Sequence, residues 1–505
     1  MKNEMKRIAL LWRLPVWLSL CLCVLMAACS DDLDTSPSAQ PTASTDTLRI
    51  GMLLAGNPSQ TYQLKLYNRH ADEIRLSSIT LREAETSGFR INVDGMNGSA
   101  FTNADLLRIA SGDSLFIFVE ATFPEVGEGL VSHYDYIDIV CNGRMQTVVL
   151  EAFSKDVRKL RGYVVTADTV WTRGSEAQIF DSLVVAEGAT LTLEDSVTLY
   201  LHDKADVLLH GRLVCRGRLG APVTLRGDRT DRMFDNLPYD NLPAQWGTLY
   251  VDSTSWGNVW EWTDLRGMTD GIRLLPSPVD TTLADDADLR LVLRSCRVKN
   301  SQGPLLHATA AQVRIENCEL TNAGGPLLGL YGGVYDVTHT TLANYSFGAA
   351  ITSPAVVLSN MDTLANVYCP LYRATFRNSI VWGRTYHPTP AQPNRNDVLP
   401  IFYRLTDPDG VAYDSIFHYT FDHCLLSANG TDDDDFIATL WNEDPCYVLV
   451  DDANYTYDLH LAPESPAEAA GTPAGVVTCP VDLDGRPRPA EAPSLGCYQY
   501  VAAEP

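Results

Sequence analysis

The sequence predicts an all-β protein, an N-terminal antiparallel β-sandwich over residues 47–155 followed by a β-solenoid over residues 161–500. Two observations carry that prediction. Residues 47–155 contain short runs in which apolar and polar side chains alternate, the period of a strand with one face on a core and the other in water. Residues 161–500 contain a motif that returns about every twenty-two residues, the mark of a coil built from stacked, similar turns.

The chain begins with an address. Lys2, Lys6, Arg7 and Arg13 precede an apolar stretch over residues 16–28, the layout of a signal peptide, and the stretch is short for a span of roughly 20 residues. It ends in Leu25-Met26-Ala27-Ala28-Cys29, which resembles the lipobox of bacterial lipoproteins. That resemblance implies cleavage after residue 28 and lipidation of Cys29, with Met26 standing where leucine is commoner. Two or three acyl chains hold a protein stably at a bilayer. Ser30, Asp31 and Asp32 follow. They resemble the acidic export signal of Bacteroidota lipoproteins, which implies an outer-membrane anchor facing the cell exterior. Residues 29–46, rich in Ser, Thr, Pro and Ala, read as a flexible linker.

Strand-like runs then follow one another, among them Thr61-Tyr-Gln-Leu-Lys-Leu-Tyr67, Ser114-Leu-Phe-Ile-Phe-Val-Glu120 and Tyr134-Asp-Tyr-Ile-Asp-Ile-Val140, with turns at Asp94-Gly95 and Asn142-Gly143. Their number and spacing point to a sandwich. Leu64-Lys-Leu-Tyr-Asn68, Phe89-Arg-Ile91 and Phe118-Val-Glu-Ala-Thr-Phe-Pro124 resemble the strands of bacterial immunoglobulin-like modules, which mostly serve as spacers or adaptors.

In the second region, Leu291-Val-Leu-Arg-Ser-Cys296-Arg-Val298 returns as Val313-Arg-Ile-Glu-Asn-Cys318-Glu-Leu320 and again at Thr340-Thr-Leu342. Aligning weaker copies gives one column of Thr263, Cys296, Cys318, Thr340, Met361, Ser379 and Cys424. A second column, two residues on, holds Leu265, Val298, Leu320, Leu342, Thr363, Val381 and Leu426. Small and apolar residues in fixed columns read as the internal stack of a solenoid, so the cysteines are expected to be buried rather than redox or metal groups. Leu183-Val-Val-Ala-Glu-Gly188, Val207-Leu-Leu-His-Gly211, Ala221-Pro-Val-Thr-Leu225 and Gln245-Trp246-Gly247 resemble the opening coils of right-handed parallel β-helix proteins, the pectate-lyase-like superfamily fold. Tyr457-Asp-Leu-His-Leu461, Ser465-Pro466-Ala467, Asp482-Leu-Asp-Gly-Arg486 and Leu495-Gly-Cys-Tyr498 are similar to the closing segment of such surface proteins, here residues 445–500. The resemblance implies an adhesin-like or polymorphic outer-membrane-protein type of fold, and fold is separable from function.

Composition narrows the partners. The net charge is −25, and near −28 once the basic leader is removed, which argues against nucleic acid and anionic lipid. It also argues against polyanionic glycans unless a local basic groove or calcium intervenes. Nine cysteines remain after Cys29, an odd number and without zinc spacing. The solenoid carries only two lysines, Lys204 and Lys299, and no glycosidase or polygalacturonase motif, so no catalytic residue is nominated. Insertions at 228–245, 276–288, 384–400 and 404–415 carry aromatics near them; Trp256, Trp382 and Tyr386 are the candidate ligand contacts. Thr431-Asp432-Asp-Asp-Asp435 offers oxygen ligands of the kind calcium takes, with a solvated loop as the plainer reading; no other cofactor is indicated. The expectation is a lipid-anchored surface protein that binds a polysaccharide or a host or matrix glycoprotein, or is a structural element, without catalysis. The alternative is a polysaccharide lyase or glycoside hydrolase acting on surface-captured glycans.

Overall fold

The alternating runs of the first region become two sheets around a shared core in the computed structural model, which describes residues 32–127, 129–234, 236–282, 285–384, 396–404 and 416–502. The chain divides into two compact units, residues 1–156 and 157–505. In the first, a five-stranded sheet runs in the order Thr42–Ala43, Tyr62–Tyr67, Ser114–Ala121, Phe89–Val93, Met96–Gly98. A six-stranded sheet includes Thr47–Leu54, Arg144–Lys155, Leu130–Cys141 and Ile74–Leu81. Every strand-to-strand ladder is antiparallel except that of Thr47–Leu54 with Arg144–Lys155. Leu64, Leu66, Ile117 and Val119 of one sheet and Ile79, Ile137, Ile139 and Leu150 of the other are fully buried in one core.

The linker expected over residues 29–46 is corrected from residue 33 onward. Leu33 bridges Glu73, Ala39 is buried in the core, and Thr42–Ala43 pairs with Leu66 and Tyr67. The Asn142 amide donates to the carbonyls of Asp34, Ser36 and Ala39 at 3.0 Å each. A segment with little apolar bulk is ordered here because its backbone groups find partners, which satisfies them as well as water does. Cys29, Ser30 and Asp31 lie outside the described residues.

The second unit holds a 26-stranded sheet, from Arg158–Val165 to Leu440–Trp441, whose ladder pairings are all parallel. It begins three residues before the boundary read from sequence. Each strand pairs with strands two or three places along the chain, the connectivity of a β-helix. Leu291 pairs with Val313 and Val313 with Tyr335; Arg297 pairs with Glu319 and Glu319 with Thr341. The twenty-two-residue repeat is thus one physical turn, and neighbouring turns sit about 4.8 Å apart.

These registers stack the first column as Thr263, Cys296, Cys318, Thr340, Ser379 and Cys424, all buried. Met361 and Thr363 drop out. Met361–Asp362 forms an antiparallel hairpin with Val367–Tyr368, while Thr340 takes Ser379, thirty-nine residues on, as its neighbour. The longer turn hid the true period. One position before this column, Trp262, Ser295, Asn317, His339, Asn378 and His423 all have positive φ, between 46° and 56°. Each of these six turns therefore bends through a left-handed corner, a conformation that most L residues adopt at a cost of roughly 1–2 kcal/mol and that Asn tolerates better.

Residues 445–500 fold back along the outside of the coil. The hairpin Tyr447–Asp451/Thr456–Leu461 leads; Gly496 N donates to Asn378 O at 2.8 Å and Cys497 N to Thr341 Oγ1 at 3.0 Å. Leu459, Leu461, Leu483 and Leu495 pack on Ala343, Ile380, Trp382 and Leu425, a second core outside the sheet. Asn317→Val is expected to destabilise the second unit by about 2–4 kcal/mol. The loss combines left-handed strain with the hydrogen bond Asn317 Oδ1 accepts from buried Arg488, at 2.8 Å. Asn317→Gly, free of the strain, should recover about 1–2 kcal/mol of that in denaturant titrations.

Candidate functional site

Strand alternation places Val298 and Leu320 in the coil's interior and turns Lys299, Glu319 and Thr321 to its outer face. On an uncovered solenoid these would be ordinary surface. Here the closing hairpin lies over them, and a cleft of about 240 Å³ forms between the two. Its floor is Lys299, Glu319 and Thr321. Asn241 from the 228–245 insertion, Asn300 and Asn322 also line it, and Tyr345, Phe347, Tyr455 and Tyr457 give it aromatic walls.

Each wall is held by contacts distant in sequence. Tyr345 and Tyr457 stack at 5.2 Å and 12°, and Phe347 meets Tyr455 at 4.3 Å. Asn241 Nδ2 donates to Tyr455 O at 3.4 Å, and the preceding residue, Asp240, binds Arg226 at 2.8 Å and Arg266 at 3.1 Å. The amides form a ladder: Asn322 Nδ2 donates to Asn300 Oδ1 at 3.2 Å, and Asn322 Oδ1 accepts from Tyr345 N at 3.0 Å. Burial, with a hydrogen bond to Asp452 beside it, pushes the Tyr457 phenol up to about 12, so it stays neutral.

Glu319 accepts a hydrogen bond of 2.6 Å from Tyr498 Oη and pairs in register with Arg297. Burial pulls the Arg297 pKa down, but Tyr498 and Glu319 beside it outweigh burial and hold it above the ordinary arginine value. The Glu319 charge is therefore engaged. Lys299 is half-buried, and among the described residues no carboxylate oxygen lies within 4 Å of its ammonium.

The aromatics singled out from sequence do not line this cleft. Trp382 is a correction: it is buried at 7 % exposure in the core under the closing segment and presents no face to a ligand. Trp256 is half-buried, its indole N–H donating to Ser253 O at 3.2 Å, with the Arg290 guanidinium 5.3 Å from its ring. Arg290 is fully buried and donates to the carbonyls of Val251, Asp252, Ser255 and Leu275, its pKa pushed down to about 10 by burial. Trp256 thus covers a structural arginine. Tyr386 lies outside the described residues. Of the cleft residues, the sequence singles out Lys299 as a possible site group, by the scarcity of lysine; the closely spaced aromatics of Tyr455-Thr456-Tyr457 are the signal in the sequence that points to the wall.

Asp432 and Asp433 of the acidic run have structural partners. Among the described residues no three His, Cys, Asp or Glu side chains are grouped to hold a metal ion. Asp432 Oδ1 accepts from Thr439 N and Trp441 Nε1, and Asp433 Oδ1 from Asp435 N and Phe436 N. The nine cysteines after Cys29 are free thiols; burial pushes Cys424 and Cys497 up to about 12, which suppresses the reactive thiolate.

No family model matches the chain, and no curated protein matches it. Solved structures give partial likenesses. An ASH/PapD-like domain of human CEP192 is 9 % identical over 24 % of this chain and 88 % of that one, at a TM-score of 0.17. A Porphyromonas gingivalis protein of unknown function is 18 % identical over 23 % of this chain and 49 % of that one, also at 0.17. The CooA pilin subunit of enterotoxigenic Escherichia coli is 8 % identical over 23 % and 98 %, at 0.18. At these scores none carries a functional argument.

Trp382→Ala is expected to cost about 3–5 kcal/mol of stability, the usual range for emptying a buried aromatic site, as a fall in melting temperature without a specific loss of binding. The closing segment also carries a titrating contact. His460 bonds Asp458 at 2.5 Å and Asp484 at 2.8 Å; burial lowers its pKa, but these two carboxylates outweigh burial and raise it. A raised histidine contributes stability that is complete below its unfolded pKa of about 6.5 and is lost as pH rises through the higher folded value. The second unit should therefore melt at lower temperature near pH ~8.5 than near pH ~6, and His460→Gln should flatten that slope.

Proposed function

We propose that this chain is a surface lipoprotein of the Bacteroidota type, anchored through Cys29 and exported on Ser30, Asp31 and Asp32. In this reading its first unit is an immunoglobulin-like sandwich and its second a right-handed parallel β-helix that binds a glycan without catalysis. The observation that carries the binding reading is the cleft beneath the closing hairpin. Two aromatic pairs, Tyr345/Tyr457 and Phe347/Tyr455, stand beside Lys299 and an amide ladder. Sugar rings offer aliphatic C–H faces that pack on aromatic side chains and hydroxyls that need donors and acceptors around them. An apolar wall with a few placed polar groups meets both needs.

The enzyme alternative, a lyase or hydrolase of captured glycans, has less to rest on. Hydrolysis normally uses two carboxylates flanking the bond. Among the described residues lining the cleft Glu319 is the one carboxylate, and its oxygen is bound by Tyr498.

The mature chain screened on a glycan array, then titrated with the hits by calorimetry, tests the reading. Binding without new reducing ends or unsaturated uronates is the expected result. Tyr457→Ala should weaken it about five-fold, the equivalent of roughly 1 kcal/mol of aromatic contact. Product formation would overturn the binding reading in favour of the enzyme, and a blank array with a blank assay would leave a spacer.

A further inference from the structure

We infer that the cleft selects a glycan whose terminal sugar carries a carboxylate, with Lys299 as the residue that recognises it. The inference deepens the glycan reading above and rests on it.

Outward-facing charges on this coil mostly alternate in sign from turn to turn, as in Glu261, Arg294 and Glu316, or Asp264, Arg297 and Glu319. The Lys299 column breaks the rule. Its register neighbours are Arg266 on one side and Thr321 on the other. Arg266 is already held by Asp240 at 3.1 Å and Asp264 at 3.6 Å. Lys299 is left in a walled cleft without an ion pair among the described residues, half-buried, in a chain of net charge −25. A partly desolvated ammonium gains more from a carboxylate than an exposed one does, because the surrounding dielectric is lower. Glu319 lines the same cleft, but Tyr498 Oη donates to it and Arg297 faces it, so it does not cancel Lys299.

Size argues for a chain end. The cleft is about 240 Å³, below the roughly 300–1,000 Å³ of pockets for larger ligands. Asn241 and the hairpin wall it, so one ring fits better than a run of rings. The strongly acidic remainder of the molecule would repel a long polyanion, whereas a single acidic residue at a chain end meets only the local field.

Calorimetric titration of the mature chain with sialyllactose against lactose, and with methyl glucuronide against methyl glucoside, tests this. The acidic member of each pair should bind about ten-fold more tightly at low salt, and the margin should shrink as salt is raised. Lys299→Met should remove the margin between the acidic and the neutral member of each pair, and Lys299→Arg should keep most of it. If neutral and acidic sugars bind alike while Tyr457→Ala still weakens both, the acidic preference is wrong and the glycan cleft stands. A margin that persists in Lys299→Met overturns the assignment to Lys299. No binding by any of the four sugars overturns this inference, and a blank glycan array would overturn the glycan reading with it.

Discussion

Parallel, in-register stacking of one turn on the next governs the second unit, because it leaves each residue no choice of neighbour. Inward positions meet their own kind, so Leu265, Val298, Leu320, Leu342, Val381 and Leu426 form one continuous column and the small residues form another. Over the middle of the coil the corner positions turn left-handed together, as at Ser295, Asn317, His339, Asn378 and His423. Outward positions would stack like charges 4.8 Å apart if uncontrolled, and facing like charges are destabilising. The alternation Glu261–Arg294–Glu316 avoids that. Glu316 is buried and Arg294 half-buried, so the alternation also keeps partly desolvated charges partnered, and its role is to protect the register.

A coil with this register is uniform along its sides, and uniform sides do not make sites. What breaks the uniformity is the closing segment. It adds a second hydrophobic layer around Trp382, Leu425 and Leu461 on the outside of the sheet. It also converts the outward-facing positions Lys299, Glu319 and Thr321 into the floor of a cleft. Its attachment is polar as well as apolar: Tyr498 to Glu319, Arg488 to Asn317 and His460 to its two aspartates. The site and the packing of the final residues are therefore one feature, so groups that seat the segment also shape the binding surface.

The same logic explains the cysteines and the buried arginines. Cys296, Cys318 and Cys424 occupy the narrow column beside the corners, where a small side chain fits and a larger one would crowd the next turn. Arg290 replaces a hydrophobic plug with a guanidinium that gathers carbonyls from neighbouring segments, so the charge is solvated by backbone instead of water.

By itself the sequence determined the all-β class, the near boundary of the two units, and the solenoid with its twenty-two-residue turn, because alternation and repeat period are local properties that pairing only amplifies. It placed Cys296, Cys318, Thr340, Ser379 and Cys424 in their column, and it misplaced Met361 where an insertion stretched the turn. Only the tertiary structure decided the fate of the aromatics. Trp382 reads as exposed at the edge of an insertion until residues 459–495 arrive to cover it. The cleft joins Asn241 to Tyr455, 214 residues away, and Glu319 to Tyr498, 179 away. No periodicity reports contacts of that length. They depend on where a chain end comes to rest, which is set by the shape and charge of the whole coil beneath it.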